Sequence, residues 1–160
     1  MLHKFLCLSL AFCCLALAGC GSQTASSSQK DYERIVVVSD LHYPTKAVKE
    51  EKRQAILDNK EKARQDINGW KDVGLTVFTG DMVAQYGSMN QMEEAKHFID
   101  GFSGEKVYIA GNHELFYKEE LKNGKPVMAD PALRAAHEEN YQKVFGPLHS
   151  TKEMGQYFLI

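Results

Sequence analysis

Residues 35–42 read Ile-Val-Val-Val-Ser-Asp-Leu-His, a run of β-branched residues that passes directly into polar side chains. A continuous β-branched run is typical of a strand buried on both faces, as strands are in parallel sheets. Ligands of such sheets bind at the carboxyl ends of the strands. Asp40 and His42 therefore lie where a binding site is expected. Because they are two residues apart on a chain taken to be extended, their side chains should point to the same side and reach one ion.

The same arrangement, a short apolar strand followed by polar residues, occurs twice more. Leu75–Phe78 precedes Gly80 and Asp81, and Val107–Ala110 precedes the tetrapeptide Gly-Asn-His-Glu at 111–114. Segments rich in good helix formers separate and follow these strands. Helices are predicted over 46–70, 91–102 and 131–144, the last capped by Asp130, and a further strand over 156–160. The alternation predicts an α/β fold with a βαβαβ order, a mainly parallel sheet and flanking helices.

The residues that follow the three strands have the chemistry of a metal site. Carboxylate, imidazole and amide oxygen ligands together suit Mn, Fe or Zn. The two oxygens of a carboxylate such as Asp81 can bridge two cations. Each residue alone has a simpler explanation as a turn residue, a helix cap or a hydrogen-bonded histidine. Their joint occurrence, in order and each directly after a predicted strand, predicts a metal site.

The motifs Asp40-x-His42, Gly80-Asp81 and Gly111-Asn112-His113-Glu114 together resemble D-x-H, G-D and G-N-H-[DE] of the calcineurin-like metallophosphoesterase superfamily. The resemblance runs from about residue 35 to the C terminus. It implies an α/β sandwich, two divalent metal ions and hydrolysis of phosphate monoesters or diesters by a metal-bound hydroxide. Carried over by position, the ligands are Asp40 and His42 for the first ion, Asp81 as the bridge and Asn112 for the second. His113 is then the catalytic histidine near the leaving-group oxygen.

The superfamily's later ligands, a further His and a terminal G-H-x-H, have no recognisable counterpart. His97 and His137 are predicted to be solvated on helices, and His149 to lie in a loop. The chain is therefore expected to be the N-terminal part of a longer enzyme, with an unpaired sheet edge and little activity on its own. Two alternatives stay open. One is a lipoprotein that binds metal or a partner without catalysis, and the other is a solute-binding lipoprotein.

The N-terminal residues 1–19 have the pattern of an export signal. The apolar run Phe5–Leu17 is too short to cross a bilayer and ends in Leu-Ala-Gly-Cys at 17–20. This ending resembles a bacterial lipobox, in which Cys20 is acylated and becomes the first residue. Residues 20–30 would then be a lipidated, flexible tether to a domain over 31–160. We expect an exported protein anchored to the outer side of the cell membrane by lipid.

Composition excludes several other classes of protein. Among 160 residues, 19 basic and 21 acidic side chains give a net charge of −2, which offers no basic field for nucleic acid. All four cysteines lie within the first twenty residues, so the folded part has no disulfide framework. Neither G-x-G-x-x-G nor a P-loop occurs, which excludes those two nucleotide-binding motifs.

Overall fold

The structure is a computed structural model, and it describes residues 33–46 and 49–160. The predicted signal peptide, Cys20 and the tether lie outside these residues. Three strands form a parallel sheet in the order β1-β2-β3, with β2 in the centre. Their bounds are β1 (Arg34–Val38), β2 (Val73–Phe78) and β3 (Glu105–Tyr108).

Four helices accompany the sheet, with bounds α1 (Glu50–Gly69), α2 (Met89–Asp100), α3 (Asn112–Leu115) and α4 (Pro131–Phe145). The helices α1 and α2 connect consecutive parallel strands, so the predicted βαβαβ order is confirmed. The predicted cap of α4 is also confirmed, because Asp130 Oδ1 accepts a hydrogen bond from the Leu133 amide at 2.9 Å. None of the described helices is long and apolar enough to cross a membrane.

The core lies between one face of the sheet and the helices α2 and α4. The sheet contributes the row Val38, Phe78 and Tyr108, whose members are partners in register. Four residues of α2 are buried: Met92, Ala95, Phe98 and Ile99. Tyr141 and Phe145 of α4 complete this cluster. Burial of each such side chain contributes about 1.5–3 kcal/mol of transfer free energy.

The prediction that the first strand is buried on both faces is wrong. Side chains alternate between the two faces of β1, and Ile35 and Val37 are 40% and 63% exposed. Two right-handed crossovers that advance in one direction place their helices on the same face of a sheet. In the described part of the chain, no helix therefore covers the opposite face.

Two antiparallel hairpins complete the described chain. The strands β4 (Tyr117–Lys122) and β5 (Lys125–Met128) form the first, and β6 (Lys152–Met154) and β7 (Tyr157–Leu159) form the second. The strand predicted over 156–160 is thus present as β7, paired with β6 and not with the parallel sheet. The first hairpin was not predicted.

Candidate metal centre

The three polar loops meet at the carboxyl edge of the sheet, as the sequence predicts. His42, Asp81 and His113 each offer a ligand atom, and these atoms all lie within 4.8 Å of one another. Asp81 follows the central strand and lies between the other two loops. His42 Nε2 lies 4.0 Å from Asp81 Oδ2 and 3.8 Å from Asp40 Oδ1. Carboxylate and imidazole groups at these separations can share a divalent cation.

The backbone that presents these side chains is not extended, so the expectation of an extended segment from Asp40 to His42 is wrong. Asp40, His42 and Asp81 all have positive φ, at 53°, 43° and 51°. Such conformations are costly for residues with a Cβ and cluster at functional sites. Backbone hydrogen bonds from Asp40 N to Gly80 O (3.2 Å) and from His42 N to Asp81 O (2.8 Å) join the two loops.

Both histidines of the cluster have their ring orientation set by a backbone carbonyl. Nδ1 of His42 lies 3.2 Å from Val83 O, and Nδ1 of His113 lies 2.7 Å from Gln85 O. A carbonyl only accepts, so Nδ1 carries the proton and the Nε2 lone pair is free for a cation. Burial, then the charges of Lys46 and His113, lower the pKa of His42 and favour its neutral, ligating form.

Asn112 and Asp81 face each other in a way that depends on the orientation of the amide. In one orientation the Asn112 nitrogen donates to both Asp81 carboxylate oxygens at 2.9 Å, and its oxygen accepts from the Tyr117 hydroxyl. In the other, the amide oxygen faces the carboxylate and the nitrogen donates to Tyr117 Oη at 2.8 Å. Facing oxygens are favourable only with a cation between them. The tyrosine hydroxyl pairs with the amide in either orientation, and the carboxylate, imidazole and amide oxygen donors gathered here fit a metal ion.

Glu114 holds the loops of the site together, although no role was predicted for it. Its carboxylate is fully buried and accepts three backbone hydrogen bonds. Oε2 accepts from Asp81 N (2.8 Å) and Gly111 N (2.7 Å), and Oε1 accepts from Val83 N (2.9 Å). Burial raises the pKa of Glu114, against these hydrogen bonds, which lower it. The signal in the sequence was a Glu at the third position of a short helix, where its side chain can reach back to the amide that precedes the helix.

Close approach of the loops requires glycine at two positions. A Cβ on Gly111 would overlap Oδ1 and the amide nitrogen of Asp81. A Cβ on Gly80, whose φ is 97°, would lie 2.7 Å from Gly111 N. The glycines of the G-D and G-N-H-E motifs therefore pack against each other and position Asp81.

The structure contradicts one prediction and agrees with two others among the remaining histidines. His137 was predicted to be solvated, but it is 3% exposed, with Nδ1 3.3 Å from Leu115 O. That prediction is wrong because α4 packs against α3 and buries this side of the helix. His97 is exposed and His149 lies in a loop, as predicted. In the part of the chain that the structure describes, none of the three joins the metal cluster.

Comparison with known proteins agrees with this geometry. The family model described as calcineurin-like phosphoesterase matches residues 33–160. No curated protein matches the chain.

Proposed function

The chain belongs to the calcineurin-like phosphoesterase family, and from that membership we propose that its three loops hold two divalent cations for phosphate ester hydrolysis. Metal-dependent hydrolysis of phosphate esters follows from the family. The number of ions and the role of each residue are the proposal. It is carried by one observation, the convergence of His42, Asp81 and His113 with both imidazole Nε2 atoms free to bind.

We assign the ligands by their positions around Asp81. Asp40 and His42 both come from the loop after β1, where Asp40 Oδ1 and Asp81 Oδ2 both lie near His42 Nε2. These two residues would hold the first ion. Asn112, the first residue of α3, faces the carboxylate and would hold the second. Asp81 would bridge the two ions. Mn, Fe and Zn all match this set of nitrogen and oxygen donors.

His113 lies at the edge of the cluster, where an ester oxygen would leave. Divalent cations bound in the cluster would activate water and neutralise charge on the phosphoryl oxygens. Gln85 O accepts from Nδ1 of His113, and this contact orients the ring. Protonated at Nε2, His113 can donate to the departing alkoxide as a general acid.

The same Nε2 atom is also close enough to ligate a metal ion, which gives His113 a second candidate role. His113→Gln separates the two roles by calorimetry with Mn²⁺ and by the rate of hydrolysis. If His113 is a general acid, the variant keeps the Mn²⁺ affinity of the wild type and loses most of its kcat. If His113 is a ligand, the variant binds Mn²⁺ more weakly.

The decisive experiment removes the bridging carboxylate. We expect Asp81→Asn to abolish Mn²⁺ binding by the purified chain and any hydrolysis of p-nitrophenyl phosphate or bis(p-nitrophenyl) phosphate. Asp66→Asn is the matched control, because Asp66 is an exposed carboxylate on α1 that pairs only with Lys62 in the described structure. Wild-type Mn²⁺ affinity in Asp81→Asn would overturn the proposal. Bound metal with no turnover in the wild type would agree both with a metal-binding protein without catalysis and with the low activity expected of this chain on its own.

Export and lipid anchoring are a separate part of the proposal. Their support is the sequence of residues 1–20, with its apolar run and Leu-Ala-Gly-Cys ending. We expect the chain, expressed in a bacterium, to incorporate labelled palmitate and to sediment with membranes. Cys20→Ser should lose the label, while Cys7→Ser should retain it. Equal labelling of both variants would contradict acylation at Cys20.

A further inference from the structure

A cavity of about 300 Å³ opens beside His113, between the loop after β2 and the β4–β5 hairpin. This volume is at the lower end of the range for small-molecule sites. Ala84, Leu121 and Pro126 supply apolar side chains to its lining. The cavity therefore has the size and the partly apolar lining of a site for one small group.

His113 belongs both to the metal cluster and to the wall of this cavity. An ester oxygen placed at His113 thus has the phosphoryl group on the side of His42 and Asp81. The other substituent of that oxygen, the alcohol portion of the ester, extends in the opposite direction. That direction leads into the cavity.

The charged side chains of the lining cancel one another. Lys46 and Lys118 are opposed by Glu119 and Glu120, and Lys118 Nζ pairs with Glu120 Oε2 at 2.5 Å. A second phosphate or a carboxylate would meet the two glutamates and gain little net attraction. An apolar ligand, in contrast, gains about 25 cal/mol of binding free energy for each Å² of its surface that the apolar side chains remove from water.

We propose that this cavity binds the alcohol portion of the substrate, and that this portion is uncharged, apolar and about the size of one ring. Leu121 and Pro126 of the hairpin are then specificity residues, which select among phosphate esters without taking part in the chemistry. This assignment rests on the proposed phosphoesterase function, since it requires the phosphoryl group to occupy the metal cluster.

Two phosphonates that differ only in this portion test the assignment without requiring turnover. Calorimetry with the full chain and Mn²⁺ compares benzylphosphonate with methylphosphonate. We expect benzylphosphonate to bind about tenfold more tightly, from the apolar area of its ring. Leu121→Ala should reduce this preference to about threefold or less and leave methylphosphonate affinity unchanged.

Met128→Ala is the matched control for Leu121→Ala. Met128 lies on the same hairpin, is 52% exposed where Leu121 is 56% exposed, and does not line the cavity. Both truncations remove exposed side chains, so neither should unfold the chain. Circular dichroism of both variants checks this expectation. Met128→Ala should keep the full preference for benzylphosphonate.

The outcomes separate the cavity from the function on which it rests. If both phosphonates bind equally well, or if Leu121→Ala keeps the preference, the cavity assignment is overturned and the metal site stands. If neither phosphonate binds although Mn²⁺ does, the phosphoester function fails and the cavity assignment fails with it.

Discussion

Glu114 shows how much one buried carboxylate can organise at this site. Its two oxygens accept hydrogen bonds from backbone amides of two loops. One of those loops presents Asp81, and the other presents His113. Asp81 Oδ1 accepts in turn from His113 N at 3.0 Å. Each loop therefore holds the other through a carboxylate. Because every partner is buried or partly buried, loss of one acceptor leaves an amide without a substitute.

We expect Glu114→Gln to destabilise the fold and weaken metal binding together. The amide group turns one of the three accepting positions into a donor that faces a backbone N–H. The expected loss is about 1–3 kcal/mol in the free energy of unfolding. Urea unfolding and Mn²⁺ calorimetry measure the two effects. Glu94→Gln, an exposed Glu on α2, is the control and should change neither quantity. Wild-type values for Glu114→Gln would show that the three hydrogen bonds are dispensable.

Gly111 makes a second prediction at the scale of one residue. In Gly111→Ala the new methyl group displaces the Asp81 carboxylate and its backbone. Displacement of a ligand by its supporting residues commonly costs about 10- to 100-fold in metal affinity, which calorimetry measures. Gly69→Ala is the control, because a Cβ on Gly69 meets nothing within 4 Å. Unchanged Mn²⁺ affinity in Gly111→Ala would mean that Asp81 does not need this contact.

The predicted site residues could be found from the sequence because each follows a strand. Parallel neighbours bring such residues to one edge whatever the loops do in detail. The loop conformation could not be predicted, since the positive φ of Asp40, His42 and Asp81 depends on hydrogen bonds between loops. The burial of Glu114 and His137 could not be predicted either, because it comes from contacts with distant parts of the chain.

Among the elements, α1 is attached to the loop after β1 and to α2 largely through polar side chains. It has no fully buried residue, and even Ala55 and Ala63 are exposed. Lys60 Nζ instead donates to His42 O and Pro44 O, both at 2.8 Å. Arg64 donates to Phe98 O at 3.1 Å. The helix thus fixes the first ligand loop through an amine.

Lys60 gives this attachment a pH dependence. Burial lowers the pKa of Lys60 from 10.5 to about 8. Between about pH 8 and 10.5 the folded chain therefore holds fewer protons than the unfolded chain, so the free energy of unfolding rises with pH. We expect a rise of about 2 kcal/mol across this window relative to Lys60→Gln, which is less than the shift would give for a fully buried group because the amine is partly solvated. Urea unfolding at pH 7.5 and 10 measures it.

The control for this effect is Lys52→Gln, which removes an exposed lysine from the same helix. Lys52→Gln should keep the wild-type dependence on pH. A wild-type dependence in Lys60→Gln as well would show that the folded amine titrates as it does in water.

The elements differ in how well local sequence determines them. The predicted helices α2 and α4 agree with the structure within about two residues, because their caps and apolar spacing are local features. The β4–β5 hairpin was missed although it has a local signal. Asn123 and Gly124 both have positive φ, at 54° and 74°, as the favoured two-residue hairpin turn requires. The charged residues on both sides of that turn concealed it, because they do not alternate with apolar ones.

For the described molecule as a whole, helices cover one face of the sheet. The other, the open face, is exposed only in part: Leu75 is buried there and the β6–β7 hairpin lines a cavity with Ile35, whereas Val37 is 63% exposed. Val37, Val77 and Val107 form a row on the open face, in register across all three strands. Ile35, on the same face of β1, is half-exposed, and so is Ile109 just after β3. A contiguous apolar surface of this kind favours association. The mainly parallel order could be predicted from the sequence, whereas the covering of each face could not, because it depends on the path of the whole chain.

We therefore expect the purified chain to self-associate with increasing concentration and to bind an apolar dye such as ANS. Val37→Glu places a charge on the open face of the edge strand β1, where charges oppose pairing with another strand. This variant should reduce both association, measured by sedimentation velocity, and dye fluorescence. Met128→Glu is the control, since it adds the same charge at a similarly exposed apolar residue outside this face. If Met128→Glu reduces association as much as Val37→Glu does, net charge and not the open face controls it. Because Val37 is already 63% exposed, its replacement removes little buried area, and the fold itself should keep its thermal stability.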